Sequence, residues 1–250
     1  MRKIFDAHAH LGYDVVFDVQ VEESELLSTY EKYNVTGALI QPFICRPYLS
    51  DAINIHNRIS AFATKYPGSF YGMISINPHL KEQEVEQECF RCVNELGFKG
   101  IKIATTAHGV SPSGKSGMHI FEIARALKIP VMIHTGGGNF GDVVHLNKPI
   151  ESFPDVPVVI AHGGGDSGID QCINISLKND QVFVEPSWIS ILGVEKMLRI
   201  LGSEKLMYSS DMPQNTAVEI ATFETACKGN DKDLDNVFYK TACKVFGIDW

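Results

Sequence analysis

The first polar residues after the N-terminal apolar run are Asp6, His8 and His10, in Asp6-Ala7-His8-Ala9-His10. On an extended strand alternate side chains share a face, so this spacing is expected to aim a carboxylate and two imidazoles the same way, with Ile4 continuing the row. Burying such groups without partners is costly, and a divalent metal is their simplest common partner, because neutral imidazole is its commonest protein ligand. A solvated strand end with hydrogen-bonded histidines is the competing reading of this stretch alone.

Similar residues close later apolar runs: Lys102 lies within 99–105, His134 ends 131–134, His162 ends 158–162, and Asp211 follows 206–210. These runs, with 36–41, 70–77 and 182–185, read as strands of the fully buried kind. Between them lie amphipathic stretches of helical period, such as Leu26, Leu27, Tyr30 and Tyr33 behind a Ser24 cap, and Ile55, Ile59, Phe62 and Tyr66 before Pro67-Gly68. Strand and helix alternate about eight times with no linker or repeat. The expected fold is α/β, a single (β/α)8 TIM barrel over residues 1–250. An open doubly wound sheet competes, but the first-turn GxGxxG is missing.

In such a barrel the C-terminal strand ends form one mouth, so His8, His10, His134, His162 and Asp211 become neighbours there. Histidines with an aspartate suit a borderline metal such as zinc, with room for a water or substrate.

At 250 residues, 44% hydrophobic and 21% charged, the chain can bury a full core, and its net charge of −8 offers no basic stripe for nucleic acid. The start, Met1-Arg2-Lys3-Ile4-Phe5, is too short an apolar region for a signal peptide, and no later run is long enough to span a bilayer. A cytoplasmic protein acting on a small molecule, with neither nucleic acid nor membrane as partner, is expected; the oligomeric state is left open. Six cysteines without a secretory signal point to free thiols. Cys89 and Cys92 have CxxC spacing but no second pair, and read as helix core with Val85, Val93 and Leu96.

The segments Asp6-Ala7-His8-Ala9-His10, Met132-Ile133-His134, Ile160-Ala161-His162-Gly163-Gly164 and Ser210-Asp211-Met212-Pro213 resemble the signatures of the metal-dependent amidohydrolase superfamily. The branch most similar is the amidohydrolase-related one containing the aminocarboxymuconate-semialdehyde decarboxylase-like proteins, whose closing motif resembles Asn236-Val237-Phe238-Tyr239-Lys240-Thr241-Ala242. The resemblance spans essentially the whole chain. It implies that His8, His10, His134 and Asp211 bind one divalent metal, zinc or alternatively manganese. It also implies that His162 acts as electrophile and that Asp211 moves a proton.

The resulting expectation is hydrolysis of a small amide, ester or lactone. Nonoxidative decarboxylation on the same site is the alternative, followed by a TatD-like metal nuclease and a binding protein without turnover. Lys102 raises the question of a second metal, since some superfamily members bridge two ions with a carboxylated lysine; a substrate role or a buried ion pair are the other readings. Ala104 stands where related chains often carry a histidine. Arg46 could hold a substrate carboxylate or make a surface ion pair, and His79 and His108 belong to mouth loops. Glu185, Trp188 and Tyr13 are expected as substrate walls with no assigned chemistry. Residues 136–141 lack the lysine and Ser/Thr of a P-loop, and Ser209 and Ser210 lack a GxSxG elbow.

Overall fold

The structure, a computed structural model, describes residues 2–14, 18–43 and 48–250. Its strands are β1 (Phe5–Asp14), β2 (Val19–Val21), β3 (Gly37–Pro42), β4 (Phe70–Gly72), β5 (Ile74–Ser75), β6 (Ile101–Ile103), β7 (Val131–His134), β8 (Val158–Ala161) and β9 (Val182–Glu185). The helices are α1 (Glu23–Tyr33), α2 (Leu49–Lys65), α3 (Glu82–Asn94), α4 (Thr105–His108), α5 (Lys115–Leu127), α6 (Asn147–Ser152), α7 (Gly165–Lys178), α8 (Ile191–Leu201), α9 (Thr216–Ala226), α10 (Asp231–Asp235) and α11 (Thr241–Phe246).

Two sheets run β2-β1-β3-β4 and β5-β6-β7-β8-β9, and every pairing except β1 with β2 is parallel. Met73 joins them: its N–H donates to Ile40 O at 2.8 Å, and the next N–H, of Ile74, donates to Gly100 O at 2.9 Å. On the other flank, Met207 N–H donates to Val184 O (3.0 Å), Ala7 N–H to Tyr208 O (3.0 Å) and Asp211 N–H to His8 O (2.7 Å). Segment 206–211 therefore runs between β9 and β1, held by isolated bridges at Leu206 and Asp211 rather than a continuous ladder.

One inner cluster takes Phe5, Leu39, Met73, Met132, Val159 and Met207 from successive strand segments and packs them with Val245 and Phe246 of the C-terminal helix. Each large side chain buried this way contributes about 1.5–3 kcal/mol. A second, larger cluster sets helix residues such as Leu26, Ile59, Val85 and Phe223 against the outward strand positions. Among the described residues, no helix is long and apolar enough to cross a membrane.

Three local expectations change. The β1–β3 register shifts between Asp6 and Ala9, a bulge that breaks strict alternation. Ile4 consequently belongs to the outer cluster while Phe5 and Ala7 belong to the inner one. Ser24 does not cap α1; Glu22 precedes it without a side-chain cap, and Glu23 and Glu25 complement the helix dipole instead. Run 99–105 is strand only at β6, and its end turns into α4.

Candidate metal centre

His8 and His10 leave β1 just beyond the bulge, and the contacts of each outer ring nitrogen fix the tautomer. His8 Nδ1 bonds Glu185 Oε1, and His10 Nδ1–H donates to Pro42 O at 2.9 Å. Both Nε2 atoms therefore present lone pairs inward. They lie 3.0 Å apart, and Asp211 Oδ1 is 3.0 Å from His8 Nε2 and 3.2 Å from His10 Nε2. Three acceptors at that spacing repel unless a cation or proton lies among them. Around one ion with ligand distances of about 2.1 Å, adjacent donors sit about 3 Å apart, so this set fits a divalent metal.

The groups around this triad complete the site. His162 joins His8 and Asp211 with ligand atoms all within 4.8 Å of one another, and its Nδ1 is 2.9 Å from Ser187 Oγ. His134 meets His162 edge-on, with ring centroids 4.7 Å apart. Lys102 is buried with Nζ 3.0 Å from His8 Nε2. The Trp188 indole N–H donates to Asp211 Oδ2 at 2.8 Å. His162, Trp188 and Asp211 all have left-handed backbone, with φ of 62°, 67° and 62°. Non-glycine residues adopt it at about 1–3 kcal/mol each, and such strain concentrates at functional sites.

Electrostatics follow from burial and these pairings. Burial raises the Asp211 carboxyl, but the His8 charge and the bonds from His10 and His8 outweigh it and hold it well below the usual range. Glu185 likewise falls to about 2 because His8 overrides its burial. Burial and Lys102 push His8 down, yet Asp211 and Glu185 prevail and its net shift is upward. Burial lowers Lys102 to about 8, opposed by Asp211 and Glu185. His162 and His134 drop to about 4 and about 3, chiefly through burial, and so are neutral at pH 7.

Asp6 does not share this cavity. Its Oδ2 accepts from Tyr30 OH (2.9 Å) and Ser210 Oγ (2.5 Å), and its Oδ1 from the N–H groups of His8 and Ser210, both at 3.0 Å. It is a buried brace between β1, α1 and segment 206–211, turned from the histidines by the bulge. His79 is exposed and lies 3.4 Å from Gly109 O. His108 is buried on α4, and neither of its ring nitrogens has a hydrogen-bond partner among the described residues. Neither His79 nor His108 touches the triad through a described hydrogen bond, and Arg46 lies outside the described residues.

Glu185 and Ser187 supply bonds to the metal-site histidines that sequence reasoning did not assign. The signal was there for Glu185, a carboxylate closing the apolar run Val182-Phe183-Val184 as His134 and His162 close theirs. Cys92 also gains an unforeseen histidine neighbour: His56 Nδ1 bonds Glu88 Oε1 (2.7 Å), and Cys92 Sγ lies 3.4 Å from the same nitrogen. Arg91 engages both oxygens of Glu88, at 2.7 and 2.8 Å, so this buried cluster is already charge-balanced without a metal.

A model of the amidohydrolase family matches residues 5–248. The 2-amino-3-carboxymuconate-6-semialdehyde decarboxylase of Dictyostelium discoideum is 21% identical over 237 residues, covering 78% of this chain and 66% of that relative. The chain thus spans just under two thirds of that protein's length. Among solved structures, 5-carboxyvanillate decarboxylase from Sphingomonas paucimobilis superposes with a TM-score of 0.76 at 14% identity over 100% of both chains. A dihydroxybenzoic acid decarboxylase from Polaromonas, solved with bound manganese and the inhibitor 2-nitroresorcinol, gives 0.78 at 13% identity, covering 99% of this chain and 97% of that one.

Proposed function

The chain belongs to the amidohydrolase family, and from that premise we propose that it is a metal-dependent, nonoxidative decarboxylase of a small aromatic or similarly unsaturated carboxylic acid. Decarboxylation displaces the hydrolysis expected first from sequence, because the curated relative and the solved structures named above are decarboxylases. We further propose that the strand segments, with 206–211 as the eighth, close into one (β/α)8 barrel forming a single domain.

The observation that carries the proposal is the convergence of His8 Nε2, His10 Nε2 and Asp211 Oδ1 within 3.0–3.2 Å beside the buried Lys102 ammonium. His8, His10 and Asp211 would hold the ion, with His134 and His162 on its flank; imidazole and carboxylate donors suit manganese or zinc. A divalent ion bound there would supply Lewis-acid polarisation of a substrate oxygen. An ion there requires neutral imidazoles, and with the histidines neutral Asp211, Glu185 and Lys102 sum to one negative charge. A divalent ion reverses that sign, so the loaded site attracts an anionic acid.

Lys102 then faces the substrate anion, and His162, oriented by Ser187, offers its Nε2 to a substrate oxygen. The carbon that bears the carboxylate must gain a proton as carbon dioxide leaves. Asp211 is the group placed to relay that proton: its ionised carboxylate would take it up from solvent before the site closes and pass it to the carbon. Water need only be kept out, a task suited to the exposed Trp188 indole at the rim.

Incubating the manganese-loaded protein with dihydroxybenzoates and 5-carboxyvanillate labelled with carbon-13 in the carboxyl group tests this. Labelled carbon dioxide with the decarboxylated product supports the proposal. Cleavage of ester or amide probes to acid plus alcohol or amine, or opening of a lactone to its hydroxy acid, with the aromatic acids untouched, would replace it by hydrolysis.

A further inference from the structure

Within the four-residue stretch 185–188 at the end of β9, three side chains reach three polar groups of the site. Glu185 bonds His8 Nδ1, Ser187 Oγ lies 2.9 Å from His162 Nδ1, and the Trp188 indole N–H donates to Asp211 Oδ2 at 2.8 Å. The first two orient imidazoles, as supporting bonds around metal sites ordinarily do. The third involves a side chain that is 57% exposed, which solvent alone would leave free to turn.

The backbone beneath that indole is held at some cost. Trp188 sits at a φ of 67°, outside the comfortable range of an L-residue. Its N–H donates to Glu219 Oε1 at 2.8 Å, and the same oxygen accepts from Asn215 Nδ2 at 2.8 Å. Glu219 is 2% exposed, and its Oε2 has no hydrogen-bond partner among the described residues. A strained residue anchored by a buried, half-satisfied carboxylate loses free energy locally. What the arrangement secures is the placement of one indole donor on one carboxylate oxygen.

We infer that Trp188 is a positioning residue for Asp211: its indole N–H occupies Oδ2 and so leaves Oδ1 as the oxygen directed at the ion. Without that bond the carboxylate can turn about its terminal torsion, which is broad, and both oxygens compete for the same place. Anchoring by Glu219 makes the indole part of the site rather than a mobile rim side chain. The inference rests on the metal reading proposed above.

Trp188→Phe keeps the ring and removes the donor. The test is calorimetric titration of manganese(II) into metal-stripped wild type and Trp188→Phe, beside thermal unfolding of both without metal. About one ion should bind the wild type, and the variant should bind about 10–100-fold more weakly with an unchanged metal-free midpoint. Equal affinities would overturn the inference while leaving the metal reading intact. Weaker binding accompanied by a lower metal-free midpoint would mark Trp188 as a structural residue and also overturn it. If the wild type bound no manganese, the metal reading would fail and the inference with it.

Discussion

Glu185→Gln is the substitution whose cost can be worked most directly from the structure. Glu185 is fully buried; one oxygen serves His8 Nδ1 and the other accepts from Ser187 N–H at 2.6 Å. The two bonds need two acceptors, and a glutamine has only one. Whichever way the amide is turned, its NH2 faces a donor, at about 1–3 kcal/mol for the unsatisfied group. Relief of a buried charge will not offset this. The surroundings hold Glu185 at about 2 against an ordinary 4.5, favouring the carboxylate over its neutral form by about 3 kcal/mol. The neutral amide also withdraws support from His8 as a ligand, which should weaken metal binding about 10–100-fold, or about 1.4–2.7 kcal/mol. Urea unfolding of the metal-free protein at pH 7 and manganese titration read the two effects separately. A variant matching wild type in both would refute the orienting role assigned to Glu185.

Two further substitutions probe other groups. Burial raises Asp6 from 3.8 to about 6 despite its bonds from Ser210, His8 and Tyr30. A raised acid is stabilising while protonated, so this contribution is present below about pH 4 and lost as the pH rises through about 6. The stability deficit of Asp6→Asn relative to wild type should therefore shrink by about 2 kcal/mol between pH 4 and pH 7, and parallel stability curves would contradict that. Lys102→Met removes a positive charge 3.0 Å from His8 Nε2, so manganese should bind at least as tightly as in wild type. Turnover of an anionic acid should nonetheless fall by about 10²-fold, and weaker metal binding would instead place Lys102 among the ligands.

Much of the site could be read from strand ends, because a histidine or carboxylate closing a buried apolar run has few places to point. His8, His10, His134, His162 and Asp211 are scattered over the chain, yet the structure brings them together on that logic. Asp6 escaped it because a bulge leaves no mark in composition: one extra residue between Asp6 and Ala9 sends its carboxylate to Tyr30 and Ser210. Glu185 carried the same strand-end signal but was read as a wall. Ser187 and the Trp188 indole bond depend on the turn after β9, where a left-handed tryptophan has no sequence signature. The four-residue α4 is too short for a helical period to show. Run 206–210 read as an ordinary strand, whereas segment 206–211 is held by bridges, which depend on how β9 and β1 approach each other.

The central claim is that His8, His10 and Asp211 converge to hold one divalent ion. Elemental analysis of purified protein, wild type beside His8→Ala/His10→Ala and each reloaded with manganese or zinc, tests it most directly. The account predicts about one equivalent in the wild type and almost none in a double variant that still folds. No bound metal in the wild type, or equal metal in both proteins, would contradict it.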